Sequence, residues 1–119
     1  MRDYRQLEFW EKSHKLTLNI YKITNEFPKH ELYGLTSQIR RASASIPTNI
    51  AEGCGRDSKK ELNRFLIISS GSASEVEYQL LLAKDLNYIS IENYQILADE
   101  LVIIRKTMNN YIQRIKGSI

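Results

Sequence analysis

The chain is poor in the residues that interrupt or staple a fold. It has one cysteine, two prolines and five glycines in 119 residues. A single cysteine, Cys54, excludes an internal disulfide and agrees with a reducing compartment. So few prolines and glycines leave little room for low-complexity or disordered stretches and favour long helices. No run of about eighteen apolar residues occurs, which excludes a membrane-spanning helix. The start, Met1-Arg2-Asp3-Tyr4, lacks an apolar signal core, so a cytoplasmic protein is expected.

What is present fits one domain over residues 1–119. The hydrophobic share is 42% and the charged share 26%, both near the globular average. The net charge is +3, and it is unevenly spread. From Lys29 to Arg64 there are seven Lys/Arg against four acids. From Glu75 to Glu100 there are six acids against Lys84 alone, and Arg105 to Lys116 has four bases and no acid. Such an asymmetric map offers partners a charged face.

Four segments carry apolar residues in steps of three and four, the period of a helix buried on one face. The clearest seam is Tyr94, Leu97, Leu101, Ile104, Met108, Tyr111 and Ile115. Phe9, Leu16, Ile20, Ile23 and Phe27 form the first, and Leu32, Leu35, Ile39, Ala42, Ile46 and Ile50 the second. The third runs from Leu62, Phe65 and Leu66 through Ser69, Ala73, Val76, Leu80 and Ala83 to Leu86. Asp3 with Gln6, and Ser58 with Glu61, have capping-box spacing. Pro28 is expected to stop the first helix, Ser90 to cap the fourth, and Asn87 to supply a left-handed exit from the third. The glycines of Gly53-Cys54-Gly55 suit the same exit after the second. Connections this short force neighbouring helices to run antiparallel. The expected fold is all-α, an up-down-up-down four-helix bundle.

Two features break the regular pattern. Pro47 lies inside the second segment, where it removes one backbone hydrogen bond and crowds the Ser43 carbonyl, at about 3 kcal/mol or more in a regular helix. Small and hydroxylated neighbours leave room for a kinked but continuous helix. The competing reading has Pro47 end one helix and start another. Ser69-Ser70-Gly71-Ser72-Ala73-Ser74 is the second feature. Gly71 mid-helix costs on the order of 1 kcal/mol relative to alanine, tolerable where another helix approaches closely. That helix belongs either to the bundle or to a second subunit.

The stretch Gly34-Leu35-Thr36-Ser37-Gln38-Ile39-Arg40-Arg41-Ala42-Ser43, continuing through Ser45-Ile46-Pro47-Thr48-Asn49-Ile50-Ala51-Glu52-Gly53, resembles the signature of the 23S rRNA intervening-sequence proteins. Leu7-Glu8-Phe9-Trp10 is similar to that family's opening motif, and Ser58-Lys59-Lys60-Glu61 with Phe65-Leu66 to its third helix. Leu86-Asn87-Tyr88 resembles the following turn, with Asn87 where the family commonly carries glycine. The resemblance covers nearly the whole chain. It implies an antiparallel four-helix bundle assembled into a homopentameric ring. It also implies kinship with the accessory variability proteins of diversity-generating retroelements, which bind a reverse transcriptase and nucleic acid. The family name records where some of the genes lie and is not an activity.

Enzymatic chemistry finds little footing. His14 and His30 have no second His or Cys at ligand spacing, so no metal site is expected. His14, one turn beyond Trp10, reads as a partly buried polar residue. No nucleophile elbow, phosphate loop or dinucleotide fingerprint is present, and no cofactor is implied. The best candidate is a basic cluster of Arg40, Arg41, Arg56, Lys59, Lys60 and Arg64. Arg56, Lys59 and Lys60 crowd a helix start that already carries partial positive charge, which suits a phosphate backbone held with little sequence readout. An ordinary solvated surface is the competing reading. Arg40 and Arg41 diverge by about 100° around the helix, so at least one is expected to serve a bundle or subunit contact. The expected function is a non-enzymatic homo-oligomer that binds nucleic acid, RNA or DNA, accessory to an enzyme such as a reverse transcriptase. The alternative is a protein-interaction module with no nucleic-acid role.

Overall fold

The computed structural model describes residues 2–119. Four helices carry the chain: α1 (Glu8–Thr24), α2 (Leu35–Cys54), α3 (Lys59–Asp85) and α4 (Ile91–Gly117). Single 3-10 turns at Tyr4–Gln6 and Lys29–Glu31 precede α1 and α2. Each helix packs on its sequence neighbours and α1 closes on α4, while the backbones of the diagonal pairs stay apart. This is the up-down-up-down square, 45 × 23 × 20 Å in extent. Packing is most extensive between α2 and α3 and thinnest between α1 and α4.

The seams meet in one core. Leu16, Ile20, Ile39, Ile46, Ile50, Leu66, Val76, Leu80, Leu97, Leu101, Ile104 and Met108 are fully buried. Each such side chain contributes about 1.5–3 kcal/mol of transfer free energy. The predicted seams overrun at two turns. Leu32 lies outside α2 and is 49% exposed, and Leu86 lies past α3 and is 44% exposed.

Several expected boundaries hold. Ser58 accepts a hydrogen bond from the Glu61 N–H at 3.1 Å, although the Glu61 carboxylate accepts from Arg64 and does not close the expected box, and Ser90 accepts one from the Asn93 N–H at 3.0 Å. Asn87 takes φ 62°, and the Tyr88 and Asn87 N–H groups donate to the Ala83 and Lys84 carbonyls, each at 2.9 Å. These two bonds satisfy carbonyls that the end of α3 leaves free.

Others need correction. Asp3 accepts from the Arg5 N–H and caps only the 3-10 turn, so α1 begins at Glu8 and the Asp3–Gln6 capping box does not form. The start is tied down instead by the Arg2 N–H, which donates to the Cys54 carbonyl at 3.0 Å. α1 ends at Thr24, before Pro28. The residue before a proline is disfavoured from helical geometry, and Phe27 leaves the helix to bury its ring 5.4 Å from that of Tyr88. The exit from α2 is right-handed, with Gly55 at φ −84° and no glycine at positive φ among the described residues. Gly53 answers a different need. A Cβ there would stand 3.0 Å from Phe65 Cβ and 3.1 Å from the Leu62 carbonyl oxygen, so glycine lets α2 and α3 approach.

Pro47 sits inside a continuous α2. The carbonyl it deprives, that of Ser43, accepts a hydrogen bond from Thr17 Oγ1 of α1 at 2.9 Å. On the α3 side Ser69 Oγ donates to the Ile46 carbonyl at 2.9 Å, and Ser45 and Ser72 share a 2.9 Å hydrogen bond. The small run of α3 thus divides. Ser69 and Ser72 serve the α2 contact and Ala73 is buried in the core, whereas Gly71 faces outward with nothing within 4 Å of where a Cβ would lie. Packing inside the bundle does not account for Gly71.

Candidate nucleic-acid interface

The antiparallel order brings the end of α2, the start of α3 and the end of α4 to one end of the bundle. Lys59 Nζ reaches Ser118 Oγ at 3.3 Å across that end. The acid-free stretch at the end of α4 therefore joins the basic start of α3. The acids from Glu75 to Glu100 lie on the far halves of α3 and α4, so the bundle is electrically polarised along its length.

The six predicted cations do not act as one group. Arg56 and Arg64 are tied to acids of their own helical turns. Arg56 Nη2 donates to Glu52 Oε2 at 3.1 Å, and Arg64 Nε donates to Glu61 Oε2 at 3.0 Å. The Arg64 hydrogen bond holds the Glu61 carboxyl below its ordinary pKa. Both guanidiniums lie over the Phe65 ring, at 4.8 and 4.6 Å from its centroid, contacts favourable to a cation. Glu61 and Glu52 thereby offset the crowding of positive charge that the sequence suggests. Lys59 and Lys60 are exposed and form no ion pair among the described residues.

Arg40 and Arg41 lie apart from that end, with Arg41 fifteen residues before Arg56, roughly 22 Å along a helix. Arg40 is a bundle residue. Its Nε donates to Thr24 Oγ1 at 2.7 Å, and its Nη2 donates to Asn25 Oδ1 at 3.1 Å and the Tyr21 carbonyl at 3.3 Å. It satisfies the carbonyl end of α1, where positive charge is favoured. Arg41 is exposed on the outer side of α2.

Residues outside the predicted cluster complete the basic end. Arg2, Arg56 and Lys59 line a cavity of about 110 Å³ beside Gly53, Asp57 and Leu62. The Arg2 and Arg114 guanidiniums lie 5.7 and 5.4 Å from the Tyr111 ring centroid. Lys116 belongs to the last turn of α4. The acid-free tail is visible in the sequence, but only the antiparallel packing places it beside Lys59.

No group of His, Cys, Asp and Glu able to hold a metal ion occurs among the described residues, and no helix there is long and apolar enough to cross a membrane. His14 is exposed rather than partly buried, and its ring stacks on Trp10 at 5.1 Å. Cys54 is 2% exposed, and burial raises its thiol pKa, the opposite of a reactive cysteine.

No curated protein sequence matches the chain. Its fold is similar to a crystal structure of a protein of unknown function from the S23 ribosomal protein family of Bacteroides thetaiotaomicron VPI-5482. The TM-score is 0.79 at 27% identity, covering 88% of this chain and 95% of that one. The profile of the 23S rRNA-intervening sequence proteins matches residues 5–110. With the Gly34–Gly53 signature on a proline-containing second helix of a four-helix bundle, the chain belongs to the 23S rRNA-intervening sequence protein family.

Proposed function

We propose that the protein is a non-enzymatic, cytoplasmic homo-oligomer that binds nucleic acid with the basic end of its bundle. One observation carries this reading: Arg2, Lys59, Lys60, Arg114 and Lys116 converge at one end without ion-pair partners among the described residues. A charged end built this way contacts phosphates and reads little sequence. The 3.1 Å and 3.0 Å ion pairs of Arg56 and Arg64 make these two arginines weaker phosphate ligands than the free lysines.

The family resemblance supports a ring of five copies and a role beside a nucleic-acid enzyme such as a reverse transcriptase. Five copies of a +3 chain carry about +15, and a repeated basic end binds a polyanion with avidity that one copy lacks. Fluorescence anisotropy with structured RNA and with duplex DNA over a salt series tests the reading. Affinity that falls as salt rises is the expected result. Absence of binding at low salt refutes it. Lys60→Ala is expected to reduce the salt slope by about 1 per bound chain.

The second reading is a protein-interaction module, favoured by the exposed Ile67, Tyr78 and Leu81 on α3. Under it, joint neutralisation of Arg56, Lys59 and Lys60 leaves partner capture unchanged.

A further inference from the structure

Three concavities run into one another from the basic end onto the side of the bundle. The end cavity, lined by Lys59, Arg56 and Arg2, shares Arg2 with a second hollow over Tyr4 and Arg5. That hollow shares Tyr4 with a third, of about 280 Å³, between α1 and α2. The third has unlike walls. On one, Trp10 stacks on His14 with ring centroids 5.1 Å apart and planes 9° from parallel, and Tyr4 meets the Trp10 ring edge-on at 4.8 Å. Four-residue spacing puts Trp10 and His14 on one face of α1. The other wall is the face of α2 that carries Ala44, Thr48 and Ala51 around Pro47. Those side chains are too short to fill the groove. Tyr4 and Trp10 are half-buried and His14 is exposed, so the aromatic stack runs out to solvent instead of ending in the core.

We propose that this trough takes single-stranded nucleic acid, with an unpaired base inserted between the Trp10–His14 stack and the α2 wall and the neighbouring phosphates on Arg2 and Lys59. This assignment rests on the nucleic-acid reading above and narrows it to the unpaired strand. Cations that track a backbone and aromatic rings that stack bases are the two parts of a single-strand site. Here they follow one another along one trough. Charge selects the occupant. An apolar groove alone would suit a protein segment equally, but this one is entered past Arg2, which has no ion-pair partner among the described residues. Arg5 is paired with Asp3 at 3.1 Å, so Arg2 supplies the free charge at this point. No acid lines the aromatic groove itself among the described residues. A duplex does not fit. Both faces of each of its bases are covered by neighbours, so none reaches the Trp10–His14 stack without being unstacked.

Trp10 is the only tryptophan in the chain, so its fluorescence reads the groove directly. Oligothymidylate at low salt is expected to change that emission to saturation, in step with binding followed by anisotropy. Duplex DNA is expected to bind with the emission unchanged. Oligothymidylate that binds without moving the emission overturns the inference and leaves the proposed function standing. Absence of binding by any nucleic acid at low salt refutes the proposed function and the inference with it. Emission that changes on dilution of the protein alone assigns the groove to a contact between copies, which also overturns the inference. His14→Ala alters an exposed helical position, so the melting temperature stays close to that of the wild type. It is expected to weaken oligothymidylate binding about fivefold or more, with duplex affinity unchanged. His14→Phe keeps a ring for stacking without the imidazole nitrogens and restores single-strand affinity. Equal losses for both nucleic acids in His14→Ala, or a His14→Phe variant as weak as His14→Ala, overturn the inference.

Discussion

Thr17 Oγ1 lies 2.9 Å from the carbonyl oxygen of Ser43, the acceptor that Pro47 deprives of its helical donor. The same hydroxyl is 2.9 Å from the Ser13 carbonyl, which is four residues before Thr17 and can take the Thr17 N–H as a helical donor. Ser43 has no such donor. The contact therefore explains how a proline is accommodated within α2 without orphaning a buried acceptor, whose exposure to an apolar surrounding costs about 1–3 kcal/mol. Thr17→Val is expected to destabilise the protein by about 1–2 kcal/mol. In a Pro47→Ala background the new N–H serves Ser43, and the cost of Thr17→Val shrinks. Urea denaturation of the four proteins in this double-mutant cycle measures the coupling. Equal costs in both backgrounds contradict the account.

Two glycines are expected to respond to alanine with opposite signs. Gly53→Ala puts a methyl 3.0 Å from Phe65 Cβ and 3.1 Å from the Leu62 carbonyl, and forced overpacking of this kind costs about 1–3 kcal/mol. Gly71→Ala meets nothing within 4 Å and raises the intrinsic stability of α3 by up to about 1 kcal/mol. Denaturation under conditions where the protein is dissociated isolates the second effect from any contact between copies. Destabilisation by both variants would place a neighbour against Gly71 within the single chain.

Glu31 links the two turns at one end of the bundle. Its Oε1 accepts from the Leu35 N–H at 3.1 Å and its Oε2 from the Tyr88 hydroxyl at 2.8 Å. The Leu35 bond first, then the Tyr88 bond, lowers the Glu31 pKa from its ordinary 4.5. A lowered folded-state pKa means the unfolded chain binds the proton more readily. Glu31 thus contributes stability that is present above its ordinary pKa and is lost as pH falls through the folded-state value. The hydrogen bond to Glu31 raises the Tyr88 pKa from its ordinary 10.0. Its contribution is present below 10.0 and lost as pH rises through the folded-state value. Glu31→Gln is expected to flatten the acid limb of melting temperature against pH, and Tyr88→Phe the alkaline limb. An acid limb unchanged by Glu31→Gln refutes the assignment.

Arg40 and Lys60 are expected to separate stability from binding. Arg40→Ala leaves Thr24, Asn25 and the Tyr21 carbonyl without their shared donor and costs about 1–2 kcal/mol, with little effect on nucleic-acid affinity in the folded protein. Lys60→Ala changes stability by less than about 0.5 kcal/mol and weakens binding. Thermal melts paired with anisotropy titrations of both variants check the contrast. A reversed pattern removes Lys60 from the interface.

Much of the short-range chemistry, in which a residue and its partner lie within one or two helical turns, was legible in the sequence. The heptad seams, the Ser58 and Ser90 caps and the left-handed Asn87 exit are of this kind. Asp3 misled because the turn it caps is a single 3-10 turn, ended by the extended backbone of Leu7 (φ −87°, ψ 123°) before α1 begins. Gly53 misled because its small size is used against Phe65 and Leu62, far along the chain, and not for its own φ. The candidate site was half legible. Lys59 and Lys60 stand where the charge pattern suggests, but Arg40 is spent on the end of α1, a demand that only a folded α1 creates.

The sequence by itself determined the helices, their order and their antiparallel sense, because apolar period, caps and short turns act locally. It also determined that charge is segregated along the chain. Only the tertiary structure decided that Arg40 is spent on the end of α1, since Thr24, Asn25 and the Tyr21 carbonyl come near it only on folding, whereas the Arg56–Glu52 and Arg64–Glu61 pairs lie within one helical turn. Only it decided that the tail of α4 joins the start of α3, and that Gly71 points away from the core. A periodic pattern specifies which residues share a face. Which neighbour that face meets is settled by how the four helices pack together.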